Sequence, residues 1–272
     1  MNSKFLHRED APFGSDVWQK IDDTVVQAAK GEMSARRLLH TDGPFGLGLR
    51  VLPGPDREVP EAETVSERVT VSTSGSLPVV SISSRFSLSA RDIAALEDRG
   101  EPMDLGHVAA AAIECARQED SLVFNGSEAL GAPGLLTADG VHRRDLDDWN
   151  DIGSAAGDVI AAVTELDGAG FHGPFALALS PGRYNLLFRL YERGDVTEMA
   201  HLGQIAADGI VKAPALRSGG VLMASGRQFA TIVLGQDLAA GLIGPVSGGY
   251  EFTLAESMAL RLMEPRAVCV LR

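Results

Sequence analysis

Side chains able to act as acids, bases, nucleophiles or metal ligands are few and scattered in this sequence. The six histidines are His7, His40, His107, His142, His172 and His201. No two of them stand three or four positions apart, so no helix face offers a ready pair of metal ligands. The chain also lacks a G-x-S-x-G elbow, a phosphate-binding loop, an H-E-x-x-H motif and a complete G-x-G-x-x-G pattern. The sequence therefore predicts no catalytic residue, no bound metal and no cofactor.

Two further groups of reactive side chains have simpler interpretations. Cys115 and Cys269 form no C-x-x-C motif and lie far apart, which indicates reduced thiols in a cytoplasmic protein rather than a disulfide framework. An acidic group, Asp145, Asp147 and Asp148, offers carboxylates to a cation, but its spacing is not that of a calcium loop. We interpret this group as a solvated loop ahead of a helix.

The overall composition excludes several classes of partner. The chain has 272 residues, of which 24 are Lys or Arg and 37 are Asp or Glu, giving a net charge of −13. Because no dense basic run is present to displace counterions, nucleic acid is a poor candidate partner. The N-terminus has no signal-peptide pattern and no run of about 18 apolar residues occurs, so we expect no membrane segment.

Apolar residues recur at helical spacing in four segments, and capping residues indicate where each helix begins. The predicted helices run from a Ser15 cap to Lys30, from an Asp104 cap to Asn125, from Ile152 to Leu166, and from Ser180-Pro181 to Gly194. The second is the longest and is rich in alanine, which permits close packing, so we expect it to form a rigid spine. Apolar and β-branched runs predict strands at 79–88, 175–179, 220–224, 229–234 and 250–271. These elements, without internal repeats, predict an α+β fold.

The segment from Arg50 to Pro78 differs from the rest of the chain in composition. It is rich in Pro, Glu, Ser and Thr, and Val65, Val69 and Val71 share one side of an alternating pattern. Because little else nearby is hydrophobic, we predict an extended hairpin arm that pairs with another subunit instead of with a local core. These three valines are the predicted inter-subunit contacts. A surface loop without regular structure is the alternative.

The order of short motifs along the chain points to a family more strongly than any one motif does. The motifs are Trp18-x-x-Ile21-Asp22, Arg36-Arg37, Gly43-Pro44-Phe45-Gly46, Phe86-x-Leu88, Glu119-Asp120, Gly134-Leu135-Leu136, Gly173-Pro174-Phe175-Ala176-Leu177, Ala213-Pro214-Ala215-Leu216 and Leu234-Gly235-Gln236-Asp237-Leu238. In this order, and over nearly the whole chain, they resemble the encapsulins. The last motif is the most specific.

The resemblance implies the tailed-phage major capsid fold of the Hong Kong 97 type, with a peripheral domain, an axial domain and an extended loop. The implied organisation is the N-terminal helix and the start of the peripheral domain at 1–46, the arm at 47–79, the peripheral domain with the spine helix at 80–134, the axial domain at 135–225, a return to the peripheral domain at 226–250, and terminal strands of the axial domain at 251–272.

The function implied by the resemblance is structural rather than enzymatic. Encapsulin subunits close into an icosahedral shell, and a chain of this length resembles members that form the smallest, T=1, shells of about sixty copies. The shell would enclose a cargo enzyme recruited by its C-terminal targeting peptide, in the cytoplasm. Ferritin-like iron oxidases, dye-decolourising peroxidases and hemerythrin-like proteins are the cargo classes of the family, which links the compartment to iron storage or oxidative-stress defence. Since net charge repels the subunits, assembly should depend on salt.

Two other functions remain as alternatives. A phage or prophage major capsid protein shares the fold, but we would expect a scaffold or cleaved segment before its first helix. A protease or bacteriocin, which relatives have at times been labelled, requires a nucleophile with a base, and the sequence does not reveal one.

The resemblance also implies a site for the cargo peptide on the inner wall, against the N-terminal helix and the Leu-Gly-Gln-Asp-Leu segment. The implied peptide-binding residues are Val25, Ala28, Leu38, Leu39, His40, Leu234, Gln236 and Asp237. An extended apolar peptide needs a shallow groove with a few polar anchors. Ordinary core packing is the alternative for each of them. Family members usually carry an acidic residue where His40 stands, which would alter that anchor or make it sensitive to pH.

Two other family sites can be assigned by resemblance. The loop that lines the five-fold pore corresponds to Tyr191, Glu192, Arg193, Gly194 and Asp195, although a plain exposed turn is the alternative. Some encapsulins stack a flavin on a tryptophan near the base of the arm. Here Arg91 stands at the tryptophan position and Ser83 at that of a helping arginine, so we expect no flavin.

Overall fold

The computed structural model of this chain describes residues 3–54, 57–58, 66, 68–191 and 195–272. Four predicted site residues lie outside the described residues: Val65 of the arm, and Glu192, Arg193 and Gly194 of the pore loop.

Helices and strands alternate along the described chain. The helices are α1 (Ser15–Glu32), α2 (Ala35–Leu38), α3 (Ala90–Arg99), α4 (Gly106–Asn125), α5 (Ser154–Gly168), α6 (Pro181–Leu186) and α7 (Glu198–Ile205). The strands are β1 (His40–Asp42), β2 (Val51–Pro53), β3 (Arg57–Glu58), β4 (Ser72–Thr73), β5 (Ser76–Pro78), β6 (Val80–Ser89), β7 (His142–Arg144), β8 (Phe175–Leu179), β9 (Ile210–Lys212), β10 (Gly220–Ala224), β11 (Ala230–Val246), β12 (Gly249–Leu262) and β13 (Val268–Leu271). The predicted mixture of helix and sheet is confirmed.

The first sheet has the strand order β1-β11-β12-β6, and α1 and α4 pack against it. In α1 the side chains of Val17, Ile21 and Val25 are buried, as their spacing of four residues predicts. In α4 the small side chains of Ala112 and Ala116 are completely buried, which lets this helix approach α1 and the sheet closely. The predicted spine helix therefore forms the centre of this lobe.

The second sheet, in the order β7-β13-β10-β8-β9, is covered on both faces. In β8, Ala176 and Ala178 belong to the core of the first sheet, whereas Phe175, Leu177 and Leu179 pack with α5 and α7. Since neighbouring residues of a strand face opposite sides, burial on both sides requires an unbroken apolar run. This requirement explains the sequence Phe-Ala-Leu-Ala-Leu, whose alternate side chains enter two different cores and so join the two lobes.

The predicted hairpin arm begins as a two-stranded ladder, in which Leu52 pairs with Leu77. Farther out, β3 pairs with β4 at two positions. At the base, Leu52 packs on Val233 and Ala259 of the first sheet. Val233 lies between two residues of the main core, so the arm is anchored on the face opposite to α1 and α4.

The predicted cap of the first helix is wrong. Ser15 is already helical, and Gly14 precedes the helix without a side-chain cap. The N–H of Gly14 donates to the Glu97 carboxylate of α3, which supplies the acceptor that the sequence did not reveal locally.

The helix opened by Pro181 is shorter than its apolar spacing predicts. It ends at Leu186 instead of Gly194. The chain then turns, because the Arg189 guanidinium donates to the carbonyls of Trp149, Asn150 and Leu186 and draws this segment onto the loop before α5. Helices α3 and α7 were not predicted, since each is short and α3 buries only Ile93 completely.

The C-terminal segment 251–272 divides between the two sheets. Strand β12 pairs with β11 and β6 in the first sheet, whereas β13 pairs with β10 and β7 in the second. The assignment of all of 251–272 to the axial domain stays a prediction. The remaining domain boundaries stay a prediction.

The end of α4 generates a test of the packing. A Cβ atom on Gly134 would lie 2.3 Å from the backbone nitrogen of Gly126. Because neither backbone can move aside without breaking its hydrogen bonds, we expect Gly134→Ala to lower the free energy of unfolding by about 1–3 kcal/mol. Urea unfolding of the full chain measures this change. Gly157→Ala is the matched control, since a Cβ there meets nothing within 4 Å on the exposed side of α5 and should stabilise by up to about 1 kcal/mol. Equal effects of the two substitutions would contradict this packing.

Candidate functional site

A groove lined by exposed large apolar side chains lies where the N-terminal turn meets the loop after β1. This groove has a volume of about 360 Å³, and its lining is Phe5, Leu6, Pro44, Phe45, Gly46, Leu47, Gly48, Gly235, Gln236 and Asp237. Phe5, Phe45 and Leu47 are 56%, 65% and 47% exposed. Such exposure of aromatic and aliphatic side chains along one groove is typical of an interaction site.

One wall of the groove is held by backbone hydrogen bonds to β11. The N–H of Phe45 donates to the carbonyl of Leu234 at 3.0 Å, and that of Gly46 donates to the carbonyl of Gly235 at 2.6 Å. Gly43 has a φ of 111°, and a Cβ there would lie 2.5 Å from the Leu234 oxygen. Only glycine therefore allows the chain to turn so close to β11 and present this wall.

The other wall is the N-terminal turn, which Arg8 ties down. Its guanidinium donates to the Asp22 carboxylate at 2.6 and 2.7 Å and to the carbonyl of Ala240 at 2.9 Å. It also lies 4.5 Å from the centre of the Trp18 ring. Gly241 lets the turn cross β11 closely, because a Cβ there would lie 2.8 Å from a backbone oxygen of this turn. The exposed Phe5 is thus carried on a fixed backbone.

Asp237 connects the groove to a buried ion cluster, which consists of Arg36, Glu119, Glu256 and Asp237. The Arg36 guanidinium donates to Asp237 at 2.8 Å, to Glu119 at 2.6 and 2.8 Å, and to Glu256 at 3.0 Å. Glu119 and Glu256 are completely buried. Burial lowers the pKa of Arg36, but the hydrogen bonds and charges of Glu119 and Asp237 outweigh it and raise this pKa overall.

Three carboxylates surround a single guanidinium, so the ion cluster has an excess of negative charge. Burial and the neighbouring Glu119 raise the pKa of Glu256 to about 10, although Arg36 acts in the opposite direction. Glu256 therefore keeps a proton at neutral pH, and as a neutral acid it can donate to Glu119. Because the protonated Glu256 is neutral, it lowers the free-energy cost of removing the cluster from water.

A further buried carboxylate, that of Asp120, positions the short helix that carries Arg36. Asp120 accepts hydrogen bonds from the backbone N–H groups of Ser34 and Ala35, both at 2.9 Å, and from the Ser34 hydroxyl. It thus caps the first turn of α2, the four-residue helix that carries Arg36. Burial raises the pKa of Asp120, and these hydrogen bonds oppose the shift.

The residues predicted to bind the peptide fall into two groups. Val25, Leu38, Leu39 and Leu234 are buried in the main core, as the packing alternative proposed. Ala28 is partly buried against the same core. Gln236 and Asp237 line the groove. Their role in binding a peptide stays a prediction.

His40 is exposed and lies outside the groove lining. It pairs in register with Thr231, at the start of β1, and its Nε2 is 3.6 Å from the Asp42 carboxylate. Asp42 also binds the guanidinium groups of Arg227 and Arg261, at 2.7 and 3.0 Å. In this structure His40 lies beside Asp42, whose ion pairs with Arg227 and Arg261 fix the end of β1.

The pore loop and the arm are described in part. The Tyr191 hydroxyl lies 2.8 Å from His201 Nδ1, and Asp195 is exposed. Val69 and Val71 of the arm are also exposed. Their predicted roles at a pore and between subunits stay predictions.

Both cysteines are buried in the part of the chain that the structure describes. Burial raises the pKa of both Cys115 and Cys269 to about 12, so neither thiol ionises readily. No three His, Cys, Asp or Glu side chains among these residues are grouped to hold a metal ion. None of the described helices is long and apolar enough to cross a membrane.

Sequence reasoning missed the groove walls and the ion cluster. Phe45 and Glu119 stood within quoted motifs but had no assigned role, and Phe5, Leu47 and Glu256 were not noticed at all. The local sequence gave no signal for Phe45, because Phe175 follows the same Gly-Pro pair and is buried.

A comparison with protein families gives a match over most of this chain. The profile of the family described as "Encapsulating protein for peroxidase" matches residues 1–259. The type 1 encapsulin shell protein EncA of Myxococcus xanthus is 33% identical over 277 residues, which cover 98% of this chain and 96% of that protein.

Solved structures give the fold independently. A virus-like particle from Pyrococcus furiosus superposes with a TM-score of 0.74 at 21% identity, covering 94% of this chain and 99% of that one. The capsid of Myoviridae phage XM1 gives a TM-score of 0.59 at 13% identity, covering 86% and 88%. The predicted tailed-phage capsid fold is confirmed.

The ion cluster predicts an unusual dependence of stability on pH. Glu256 has an ordinary pKa of 4.5 in the unfolded chain and a raised one in the folded chain. Between these values the folded chain binds more protons, so the free energy of unfolding falls as pH rises, by at most about 1.4 kcal/mol per pH unit. Glu256→Gln cannot ionise, and we expect its stability to fall less than that of the wild type between pH 6 and pH 9.

Thermal or urea unfolding at several pH values measures this difference. Glu251→Gln is the matched control. Glu251 lies on the same strand as Glu256 but outside the ion cluster, where its carboxylate is 3.9 Å from the exposed Arg85. It should keep the pH dependence of the wild type. A Glu256→Gln protein with the wild-type slope would show that Glu256 does not hold the proton.

Proposed function

Because the chain belongs to the encapsulin family of shell-forming proteins, we propose that the groove beside Asp237 holds cargo through an extended segment of the cargo chain. The chain itself is a shell subunit: copies of it assemble into a closed shell that encloses cargo. Its role is structural, as the names of its relatives indicate. The observation that carries this conclusion is the family match over residues 1–259.

The form of the groove supports peptide docking. Its volume of about 360 Å³ falls within the range of about 300–1,000 Å³ that is usual for ligand sites. The walls offer Phe5, Phe45 and Leu47 to apolar side chains, and Gln236 and Asp237 offer polar anchors. An extended segment with alternating apolar residues matches this arrangement. A cargo chain of any fold can carry such a segment, so one shell surface can serve unrelated enzymes.

Modest affinity at each groove is sufficient for loading. A shallow and partly exposed site buries few side chains, which limits the binding free energy of one peptide. A closed shell presents many identical grooves to a confined cargo, and this raises the effective concentration of sites. Cargo can therefore be retained by many weak contacts.

The proposed shell is the smallest icosahedral one, of about sixty copies, in the cytoplasm. The buried reduced cysteines support an intracellular location. We assign the loop at Tyr191 and Asp195 to the pore, where its charges would bias the ions that pass. Glu198 is buried and binds Arg189 at 2.9 Å and the Gly153 N–H at 2.8 Å, which supports a firmly held base for this loop.

The proposed cargo is an enzyme of iron storage or of defence against oxidative stress, and the shell contributes no catalysis to it. The unreactive environment of Cys115 and Cys269 supports this division of roles.

Expression of the chain alone tests the shell assignment. We expect particles at the void volume of a size-exclusion column, closed and uniform in electron micrographs, with a native mass near sixty times 28.7 kDa. Because a charge of −13 per subunit repels its neighbours, particles should form more completely at 0.2 M salt than at about 0.01 M. A stable monomer or small oligomer at 0.2 M salt would contradict the assignment, and equal assembly at the two salt concentrations would contradict the expected effect of charge.

Cargo loading tests the groove. The probe is a fluorescent protein that ends in the C-terminal segment of a protein encoded beside the shell gene. We expect Leu47→Asp to reduce the loaded fluorescence at least about tenfold, because a carboxylate replaces an apolar wall and a loss of 1.4 kcal/mol corresponds to that factor.

Leu130→Asp is the matched control for this substitution. Leu130 is a leucine of almost equal exposure, 49%, in a turn after α4 that does not line the groove. Both variants must form shells before loading is compared. Equal loading of the two shells would place the docking site elsewhere.

A further inference from the structure

Strand β11 contacts both the groove and the base of the arm, which is the ladder of β2 and β5. The carbonyls of Leu234 and Gly235 accept hydrogen bonds from the groove wall, at 3.0 and 2.6 Å. Val233, the residue before them, packs against Leu52 in the arm ladder. Three consecutive residues of one strand therefore support the groove and the arm together.

The chain passes from the groove wall into the arm over two residues. The groove lining ends at Gly48, and β2 begins after Leu49 and Arg50. The N–H of Leu49 donates to the carbonyl of Gly46 in the wall, at 3.1 Å. The carbonyl of Arg50 accepts a hydrogen bond from the N–H of Val79 beside the arm ladder, at 3.0 Å. The connecting residues are thus tied to the wall on one side and to the arm on the other.

These contacts converge on Gly235, which itself lines the groove. A Cβ atom at this position would lie 3.4 Å from the Gly46 oxygen and 3.5 Å from the Leu49 Cβ. Leu49 also packs against the apolar cluster that contains Leu52. Since neighbouring atoms in a packed interior must move together, a shift of the wall at this point also displaces Leu49.

The ladder between β11 and β12 is interrupted at the same place. Its register shifts between Leu234 and Gln236, so Gly235 is the extra residue of a β-bulge. The N–H of Gln236 donates to the Ser257 hydroxyl instead of to a carbonyl of β12. A bulge disrupts the ladder locally, and packing of the wall and of Leu49 must then help to fix the backbone. The point shared by groove and arm is therefore one that the sheet alone does not hold.

We propose that a segment bound in the groove stiffens the base of the arm through Gly235 and Leu49. An apolar occupant covers the exposed Phe45 and Leu47 and so restricts the wall that continues into the arm. Coupling between two sites is reciprocal, so a subunit whose arm is held in place also binds the segment more tightly. The inference rests on the docking of cargo given above as the proposed function.

Hydrogen exchange in loaded and empty shells tests this coupling. The loaded shells contain the fluorescent protein that ends in the C-terminal segment of a protein encoded beside the shell gene. We expect amides within 50–53 and 76–79 to exchange at least about ten times more slowly in loaded subunits than in empty shells. Amides of β8, in the second sheet, are the internal reference and should exchange equally in both.

Leu49→Ala interrupts the proposed route without changing the groove lining. This variant should load like the wild type, but loading should then slow exchange at the base of the arm less than about twofold. Leu77→Ala is the matched control, because Leu77 packs against the same cluster from β5, outside the connection between groove and arm. Its response to loading should match that of the wild type. A wild-type response in Leu49→Ala overturns the proposed route.

A covalent occupant separates this coupling from the docking of cargo. Phe5→Cys places a thiol in the wall opposite Leu47, and N-phenylmaleimide then attaches a phenyl group in the groove. The native cysteines are buried, which raises the pKa of both thiols, and should stay unlabelled. Labelled Phe5→Cys shells should show the slowed exchange at 50–53 and 76–79. Labelled Leu130→Cys shells should not, since Leu130 is exposed outside the groove.

The two occupants give distinguishable outcomes. Unchanged exchange at the base of the arm in loaded wild-type shells overturns the inference. Failure of the fluorescent protein to load contradicts the docking of cargo instead, and the labelled Phe5→Cys shells then decide the coupling. Unchanged exchange in those labelled shells also overturns it.

Discussion

The structure depends above all on how Arg36 is held. One guanidinium joins α4 through Glu119, β12 through Glu256 and β11 through Asp237. The helix that carries it has only four residues and cannot form alone, so Asp120 must cap it. If one element shifted, buried carboxylates would lose their partner, which costs about 3–5 kcal/mol. Because β1 and the first wall of the groove follow directly after this helix, the ion cluster also determines where the groove lies.

The second constraint is the burial of one sheet on both faces. Strands β8, β10 and β13 send alternate side chains into the two cores, so the second lobe cannot move independently without exposing apolar surface. A shell subunit benefits from this rigidity. Neighbouring copies must meet at fixed angles for a shell to close, and an internal hinge would spread those angles. The arm leaves the first sheet through a short ladder at Leu52, which packs on Val233 and Ala259 of that sheet.

Sequence reasoning succeeded where local periodicity determines structure. On α1, the burial of Val17, Ile21 and Val25 follows the 3.6-residue period of a helix. In β8, five consecutive residues are apolar and buried. Both patterns can be read from the local sequence. The ion cluster could not be found in this way, since Arg36 and its partners are separated by 83, 201 and 220 residues. The resemblance assigned Leu38, Leu39 and Leu234 to peptide binding, and all three lie in the main core, where their role in binding stays a prediction. The groove is lined by apolar residues that the core leaves exposed, such as Phe45 and Leu47, and a single sequence does not separate exposed from buried apolar residues.

Assembly of this chain is a balance between diffuse repulsion and local attraction. A net charge of −13 acts between copies, but at physiological salt it is screened beyond about 8 Å. At the predicted contact of the arm with a neighbouring copy the attraction is small, because two half-exposed valines contribute on the order of 1 kcal/mol each when covered. Neither the charge repulsion nor the attraction at one such contact explains why a closed shell forms. A subunit in a closed shell meets neighbours on all sides, whereas a subunit at an open edge lacks some of them. Weak contacts that are completed together in this way favour complete particles over small open fragments.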